Sequence, residues 1–396
     1  MTTDSPSKKH VLIVGGGFGG LKAALELSRN PEFTVTLLSD QPTFRYYPAL
    51  YHTATGGLYA QSNIPLTDII DPQRVTVKLG TAKTLDRKAH TVTTAEGEIL
   101  SYEILVLAMG VVTNYFGIKG MAENTFGIKS FDQIKRFRQH IHGLLNQPEP
   151  DLNFVIAGAG PTGIELAGSL PEYLEKIMAN HKVKGTPKIT IIEAAPRLLP
   201  RSPEKVSRAV EKRLKKLGVE LRLGQAVEGA SADGLMVSGQ PLPSKTVVWT
   251  AGTTNNPFFK ENNFALTDRG KVEVDEYLRA EEAIYVIGDN ANTPYSGQAE
   301  VAVGDGLYAA KDIIRRVEGK KPEAYVPKAP RPVIPVGQGW ASVVWGKAIF
   351  SGRVGWWLRE AADWIGFHDL QPWWKASEQW MTEFGTEEDC PTCKQD

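Results

Sequence analysis

Two glycine-rich segments carry the first chemical signal of this chain. They are Gly15-Gly16-Gly17-Phe18-Gly19-Gly20 and, about 140 residues later, Gly158-Ala159-Gly160-Pro161-Thr162-Gly163. Each follows a short apolar run, His10–Val14 or Phe154–Ala157, and each opens a helical pattern. In such a unit the first glycine permits the tight turn out of a strand. The second lets the backbone approach a pyrophosphate, and the third lets helix and strand pack closely. The phosphates then rest on the free N–H groups and positive end of the helix. Those positions are Gly15, Gly17 and Gly20 in the first loop, with Phe18 opening its helix, and Gly158, Gly160 and Gly163 in the second, with Thr162. A chain that holds two dinucleotides at once is suited to passing a hydride from a nicotinamide to a flavin.

The elements around the loops repeat as well. The apolar strand Ile104–Leu107 ends in Ala108-Met109-Gly110, and Thr246–Trp249 ends in Thr250-Ala251-Gly252. Ala108 and Gly110 thereby match Ala251 and Gly252 as cofactor-side turn residues of a duplicated unit. A ribose-binding acid is expected at the end of each second strand. In the first unit Ser39 holds that place and Asp40 follows; either suits a ribose hydroxyl. In the second unit Lys188–Ile192 ends in Glu193, which favours NADH over NADPH because a carboxylate repels a 2′-phosphate. Arg197 and Arg201 lie just beyond and leave NADPH use open, and the polar segment 178–187 reads as a surface insertion. The strand Ile284–Ile287 runs into Gly288-Asp289, where the carboxylate either meets a ribityl or ribose hydroxyl or simply ends the strand in a turn.

Composition sets the bounds. A chain of 396 residues, 42% hydrophobic, predicts two or three domains with sizeable cores. Lys+Arg and Asp+Glu each number 45, so nothing draws the molecule to nucleic acid in bulk. The N-terminus has no signal-peptide pattern, and no apolar run reaches membrane-spanning length. Two cysteines, Cys390 and Cys393, make no disulfide scaffold and fit a reducing, intracellular compartment; they read as a redox pair or as idle thiols. Seven scattered histidines predict no metal centre.

Five prolines between residues 320 and 337 predict an extended linker before a separate C-terminal module. Eight of the nine tryptophans fall between residues 340 and 380. Over residues 355–368 the periodicity predicts a helix with Trp357, Leu358, Ala361, Trp364 and Ile365 on its apolar face and Arg359, Glu360 and Asp363 opposite. A second helix after Pro372 pairs Trp373, Trp374, Trp380, Met381 and Phe384 against Lys375, Glu378 and Glu383. Such helices suit a membrane interface, although the segment is acidic where interfacial anchors are usually basic; a homodimer contact is the alternative.

Taken together, these segments resemble the type II, single-subunit, non-pumping NADH:quinone oxidoreductases of the two-dinucleotide flavoprotein superfamily. The resemblance rests on Val14–Gly20, Tyr47–Tyr51, Ala54–Leu58, Ala157–Gly168, Glu193–Pro200, Val286–Asp289 and Phe350–Gly352. It implies an α/β fold of two Rossmann-like dinucleotide-binding domains, one for FAD and one for NADH, with the Trp-rich helical module behind them. The implied division is 1–120 and 255–320 for FAD, 121–254 for NADH and 336–396 for the module. It implies FAD and NADH as cofactors, a membrane quinone as acceptor, and attachment at the cytoplasmic face of a membrane. It further implies that Asp289 bonds the FAD ribityl chain and that Glu165 lies near nicotinamide and flavin. The family pattern Ala-Gln-x-Ala-x-Gln-x-Gly, whose glutamines line the quinone pocket, is here Ala299-Glu300-Val301-Ala302-Val303-Gly304-Asp305-Gly306. Ala302 keeps its place, whereas Glu300 and Gly304 replace the glutamines; Glu300 is expected beside the flavin, able to donate a proton to a quinone oxygen. Disulfide reductases and sulfide:quinone reductases need cysteines far upstream of Cys390, and none exists.

Overall fold

The computed structural model describes residues 8–386. Its two largest sheets are built on one plan. The larger runs, in spatial order, through Arg279–Glu281, Ile284–Val286, Ile104–Leu107, Lys9–Val14, Phe33–Ser39 and Val75–Leu79. All neighbours are parallel except the edge pair Arg279–Glu281 with Ile284–Val286. The smaller runs through Glu220–Leu223, Lys188–Glu193, Asn153–Ala157 and Thr246–Trp249, all parallel. Strands covered on both faces need continuous apolar runs, and Val11, Leu12, Ile13, Ile156 and Ile191 are fully buried accordingly.

Register makes the duplication explicit. Val14 pairs with Leu38 on one side and Leu107 on the other, while Ala157 pairs with Ile192 and Trp249. In both sheets the strand feeding the glycine loop therefore lies between the strand ending near the ribose-acid position and the strand ending in the small-residue turn. The loops stand at the carboxyl edges, where open α/β sheets bind ligands.

Helix α1 (Phe18–Leu27) follows the first loop. Helix α2 (Phe131–Leu145) opens with Ser130, whose hydroxyl accepts from the Gln133 N–H. Helix α3 (Pro161–Asn180) follows the second loop and takes in the first three residues of the segment 178–187, so the surface insertion is shorter than the sequence predicts. Helix α4 (Ala299–Val317) packs along α1. Two short antiparallel strands, Val111–Thr113 and Thr253–Asn255, pair where the chain passes from one sheet to the other and back.

Residues 320–332 have no regular structure, but the linker expected over 320–337 is shorter, because Val333–Pro335 within it pairs as a strand. A three-stranded antiparallel sheet follows (Val333–Pro335, Ala341–Trp345, Ala348–Gly352), then α5 (Arg353–His368) and α6 (Trp373–Met381). Here the structure reverses an expectation. The charged face of α5 is the buried one: Arg359 is 3% exposed, with Glu360 and Asp363 also buried, while Trp357 is 74% exposed. Val354, Trp357, Ala361 and Ile365 form an outward apolar stripe, continued by Trp373, Trp374, Met381 and Phe384. Periodicity finds the two faces of a helix but not the medium each one meets. The charges are held inside because they satisfy one another. Cys390 and Cys393 lie outside the described residues.

Candidate functional site

The two loops coincide in detail. Gly15 and Gly158 both have φ of +116°, a conformation that L side chains rarely adopt. A Cβ on Gly20 would lie 1.9 Å from the Gly15 carbonyl oxygen, and one on Gly163 would lie 2.0 Å from that of Gly158. A Cβ on Gly15 would collide with Ala108, and one on Gly158 with Ala251. The middle glycines differ in kind: nothing lies within 4 Å of a Cβ on Gly17 or Gly160. First and third glycines are fixed by the protein's own packing, whereas the middle ones border open space ahead of a helix N-terminus. Both cradles thus fit a pyrophosphate. Phe18 is core, edge-on to Phe44 with centroids 4.8 Å apart, so only its backbone faces the loop. Thr162 is half-buried in the first turn of α3.

The ribose positions diverge. Glu193 Oε2 accepts from the Ala159 N–H at 2.8 Å and Oε1 from the Ala195 N–H at 2.9 Å, which holds the carboxylate against the second loop. The Arg197 guanidinium is spent on the carbonyls of Leu199, Pro200 and Ser202 and on the Ser207 hydroxyl. In the first unit Ser39 is buried and donates to the Gln41 carbonyl at 2.8 Å, while Asp40 forms an exposed pair with Arg45.

Gly288-Asp289 comes down beside both the first loop and α4. Ala302 touches this turn: its Cβ would lie 3.4 Å from one on Gly288, and its carbonyl oxygen 3.0 Å from one on Gly19. Asn290 locks the turn to its neighbour, accepting from the Gly110 N–H at 2.9 Å and donating to the Gly110 carbonyl at 2.6 Å. Beneath it the buried Asp305 accepts from the Gly288 N–H and the Tyr325 hydroxyl, and burial lifts its pKa to about 6. The Asp289 carboxyl is also raised by burial, against the pull of Lys271, the Gly297 N–H and Lys129. Gly252 lies across the junction, its α-carbon closed in by the Asn114 carbonyl and the Phe116 ring.

Glu165, in α3, faces the C-terminal helix. Burial drives its pKa up to about 8; the Arg359 charge opposes that and Asp363 adds to it. Arg359 Nη1 donates to Glu360 Oε1 at 3.0 Å, and its Nη2 lies 2.9 Å from Asp363 Oδ2. The Tyr46 hydroxyl donates to Asp363 Oδ1 at 2.9 Å, with its ring stacked on Phe367. Tyr51, buried beside Glu165 and Arg359, has its phenol pushed well up by desolvation. The outcome is a buried ionic cluster within α5, anchored to Tyr46 and near enough to Glu165 for its charges to act on that carboxyl.

Glu300 does not lie in such surroundings. It is half-exposed in the first turn of α4, accepts from the Arg331 N–H at 2.9 Å and lies 3.8 Å from that guanidinium. This carboxylate anchors the proline-rich segment.

The pyridine nucleotide-disulphide oxidoreductase family matches residues 9–306. A type II NADH:quinone oxidoreductase of Mycobacterium tuberculosis is 30% identical over 389 residues, covering 89% of this chain and 82% of that protein. The chain belongs to the type II NADH:quinone oxidoreductases. A type II NADH:quinone oxidoreductase of Staphylococcus saprophyticus is 29% identical over 79% of this chain and 84% of its own. Among solved structures, NDH2 from Plasmodium falciparum in complex with NADH has a TM-score of 0.85 at 16% identity, covering 95% and 97% of the two chains. The sulfide:quinone oxidoreductase of Aquifex aeolicus has a TM-score of 0.77 at 20% identity, covering 94% and 92%. These last two share the fold.

Membership makes the chain an FAD-dependent oxidoreductase of NADH and quinone. No helix among the described residues is long and apolar enough to cross a membrane. Sequence reasoning missed Asn290 and the burial of Arg359. Asn290 stands immediately after the Gly-Asp pair and was within reach. Arg359 was read as a solvated charge, because a residue's periodicity does not reveal its partners.

Proposed function

We propose that the enzyme draws electrons from NADH on the Gly158–Gly163 side, through FAD held by Gly15–Gly20, Ala302 and Asp289, and delivers them to a quinone at a membrane surface without pumping protons. The observation that carries this is the matched pair of loops, each closed at its outer glycines and open at the middle one. Bound FAD supplies the two-electron carrier between nicotinamide and quinone. Glu193 orients the nicotinamide nucleotide by accepting from its 2′-hydroxyl. Glu165, its pKa raised to about 8 by burial, holds a proton at its carboxyl and can release it as pH rises. The tail's outward stripe seats the enzyme on the cytoplasmic face of a membrane, where a lipid-soluble quinone is at hand; burying exposed rings at that interface is favourable. Glu300, half-exposed and held by Arg331, is the acid that could hand a proton to the quinone oxygen.

Anaerobic addition of NADH to the holoenzyme should bleach its flavin, and a membrane quinone analogue should restore the colour. With Glu193 discriminating by a charged hydrogen bond, NADH should exceed NADPH by about ten- to a hundredfold in kcat/KM. Equal use of the two nucleotides, or a flavin that NADH leaves coloured, would remove this reading.

A further inference from the structure

Phe116 is an exposed ring held in a backbone conformation that bulky side chains avoid. Its φ is +54°, and the residue is 60% exposed. Glycine or asparagine takes that conformation with less strain, so a phenylalanine there, with its apolar ring in water, needs a reason. Strain of this kind gathers where a ligand is clamped. The segment around it is fixed. Asn114 Oδ1 accepts from the Phe116 N–H at 2.8 Å, and the Asn114 carbonyl accepts from Trp249 Nε1 at 2.9 Å. The Asn114 N–H donates to the Gly252 carbonyl at 3.1 Å. The Phe116 ring meets Trp249 edge-on with centroids 6.3 Å apart, and a Cβ on Gly252 would lie 2.5 Å from its Cε2. The ring therefore lies on the Ala251-Gly252 turn, and Ala251 in turn abuts Gly158 of the second loop.

Sheet order fixes which end of a dinucleotide passes there. Glu193 ends the strand on one side of Asn153–Ala157, and Thr246–Trp249, which runs into the Ala-Gly turn, lies on the other. With the pyrophosphate on the loop between them, the adenosine ribose lies by Glu193 and the opposite, nicotinamide end extends over Ala251-Gly252. The crossing strands Val111–Thr113 and Thr253–Asn255 adjoin that turn, on the way to the first sheet. We propose that the Phe116 ring is a wall of the NADH site that packs on the nicotinamide end of the nucleotide. This rests on the reading that Gly158–Gly163 holds NADH. An aromatic side chain holds a flat heteroaromatic ring in place without a charge. Gly252 leaves room for it, since any side chain there would displace the Phe116 ring.

The test compares NAD+ with ADP-ribose, which shares everything but the nicotinamide, by calorimetric titration of the holoenzyme. Phe116→Gly removes the ring and relieves the backbone, so the melting temperature should not fall. It should weaken NAD+ binding about tenfold, as for loss of a ring-on-ring contact, and leave ADP-ribose within about twofold of the parent. The KM for NADH should rise with it. Phe116→Tyr keeps the ring and should bind NAD+ within about twofold of the parent. Phe116→Asn also tolerates the left-handed backbone without a ring; it should match Phe116→Gly, and it carries the test if that variant yields no holoenzyme. If NAD+ and ADP-ribose weaken equally, or neither weakens, the ring serves only to cover Gly252 and its role is overturned. Glu193→Ala should weaken both ligands alike. If it weakens neither, the second loop is not the nucleotide site, and the reading beneath the proposal falls with it.

Discussion

The nucleotide sheets and the C-terminal helices solve opposite burial problems. In the sheets apolar side chains go inward and polar atoms gather at the carboxyl edge, so Leu12 and Ile156 are fully buried while Gly17 and Gly160 border open space. In α5 the order is inverted, with Arg359, Glu360 and Asp363 inside and Trp357 and Ile365 outside. The sheets are complete against water. The tail leaves an apolar stripe exposed, and large exposed apolar patches mark contact surfaces. The difference teaches that the hydrophobic pattern of a helix states a contrast, and that its partners decide which side is the interior.

The sharpest break of this comparison is within the loops themselves. Gly20→Ala places a methyl 1.9 Å from the Gly15 carbonyl oxygen, so the loop must open and the purified protein should lose its flavin. Gly17 has φ −88° and ψ −172°, which any residue adopts, and its Cβ meets nothing. Gly17→Ala should therefore leave the apoprotein's melting temperature unchanged and weaken FAD binding alone. Flavin content beside thermal unfolding separates the two; equal behaviour would mean that the open space is not the pyrophosphate site.

In the tail the largest loss should come from the buried cation. Arg359→Met leaves Glu360 and Asp363 buried without their counter-charge, and breaking one partner of a buried ion cluster costs about 3–5 kcal/mol. Thermal unfolding should show it. A triple replacement Arg359→Met, Glu360→Gln, Asp363→Asn should recover much of the loss, and failure to recover would mean that Arg359 is held by packing rather than by charge.

The outward rings should behave in the reverse manner. Trp357→Ser and Trp373→Ser remove exposed side chains, so the melting temperature should stay level. Binding to lipid vesicles should fall, by about 2.5 kcal/mol per ring if each buries about 100 Å² at the interface. If the parent protein ignores vesicles and sediments as a dimer that these substitutions split, the stripe is a self-contact.

Much of this was legible in the residues. The loops, Glu193, the Ala-Gly turns and the Gly-Asp pair are local signals, since glycine positions and strand ends fix their own geometry over a few residues. The direction of α5 was not legible, because the partners of Arg359 include Tyr46 and Tyr51, more than 300 residues away. The partner of Glu300 was not legible for the same reason, since Arg331 lies on a segment without periodicity.

The smallest expected effect tests whether the two regions are coupled at Glu165, where the second loop's helix meets the inverted one. Its carboxyl is raised from an ordinary 4.5 to about 8, chiefly by burial, with Arg359 pulling down and Asp363 pushing up. The folded protein thus binds more protons at this site than the unfolded chain between those two values, so this group's contribution makes stability fall as pH rises across that window. Glu165→Gln should flatten that slope. In the holoenzyme the rate of flavin bleaching by NADH should carry an inflection near pH 8 that Glu165→Gln abolishes. Asp363→Asn removes the charge that raises Glu165, so it should move the inflection to lower pH, by under about one unit for a partly screened neighbour. An inflection that survives Glu165→Gln would assign the ionisation elsewhere. One that vanishes with Glu165→Gln yet ignores Asp363→Asn would mean that the tail's charges support only its own fold, and that the two halves of the comparison are electrostatically separate.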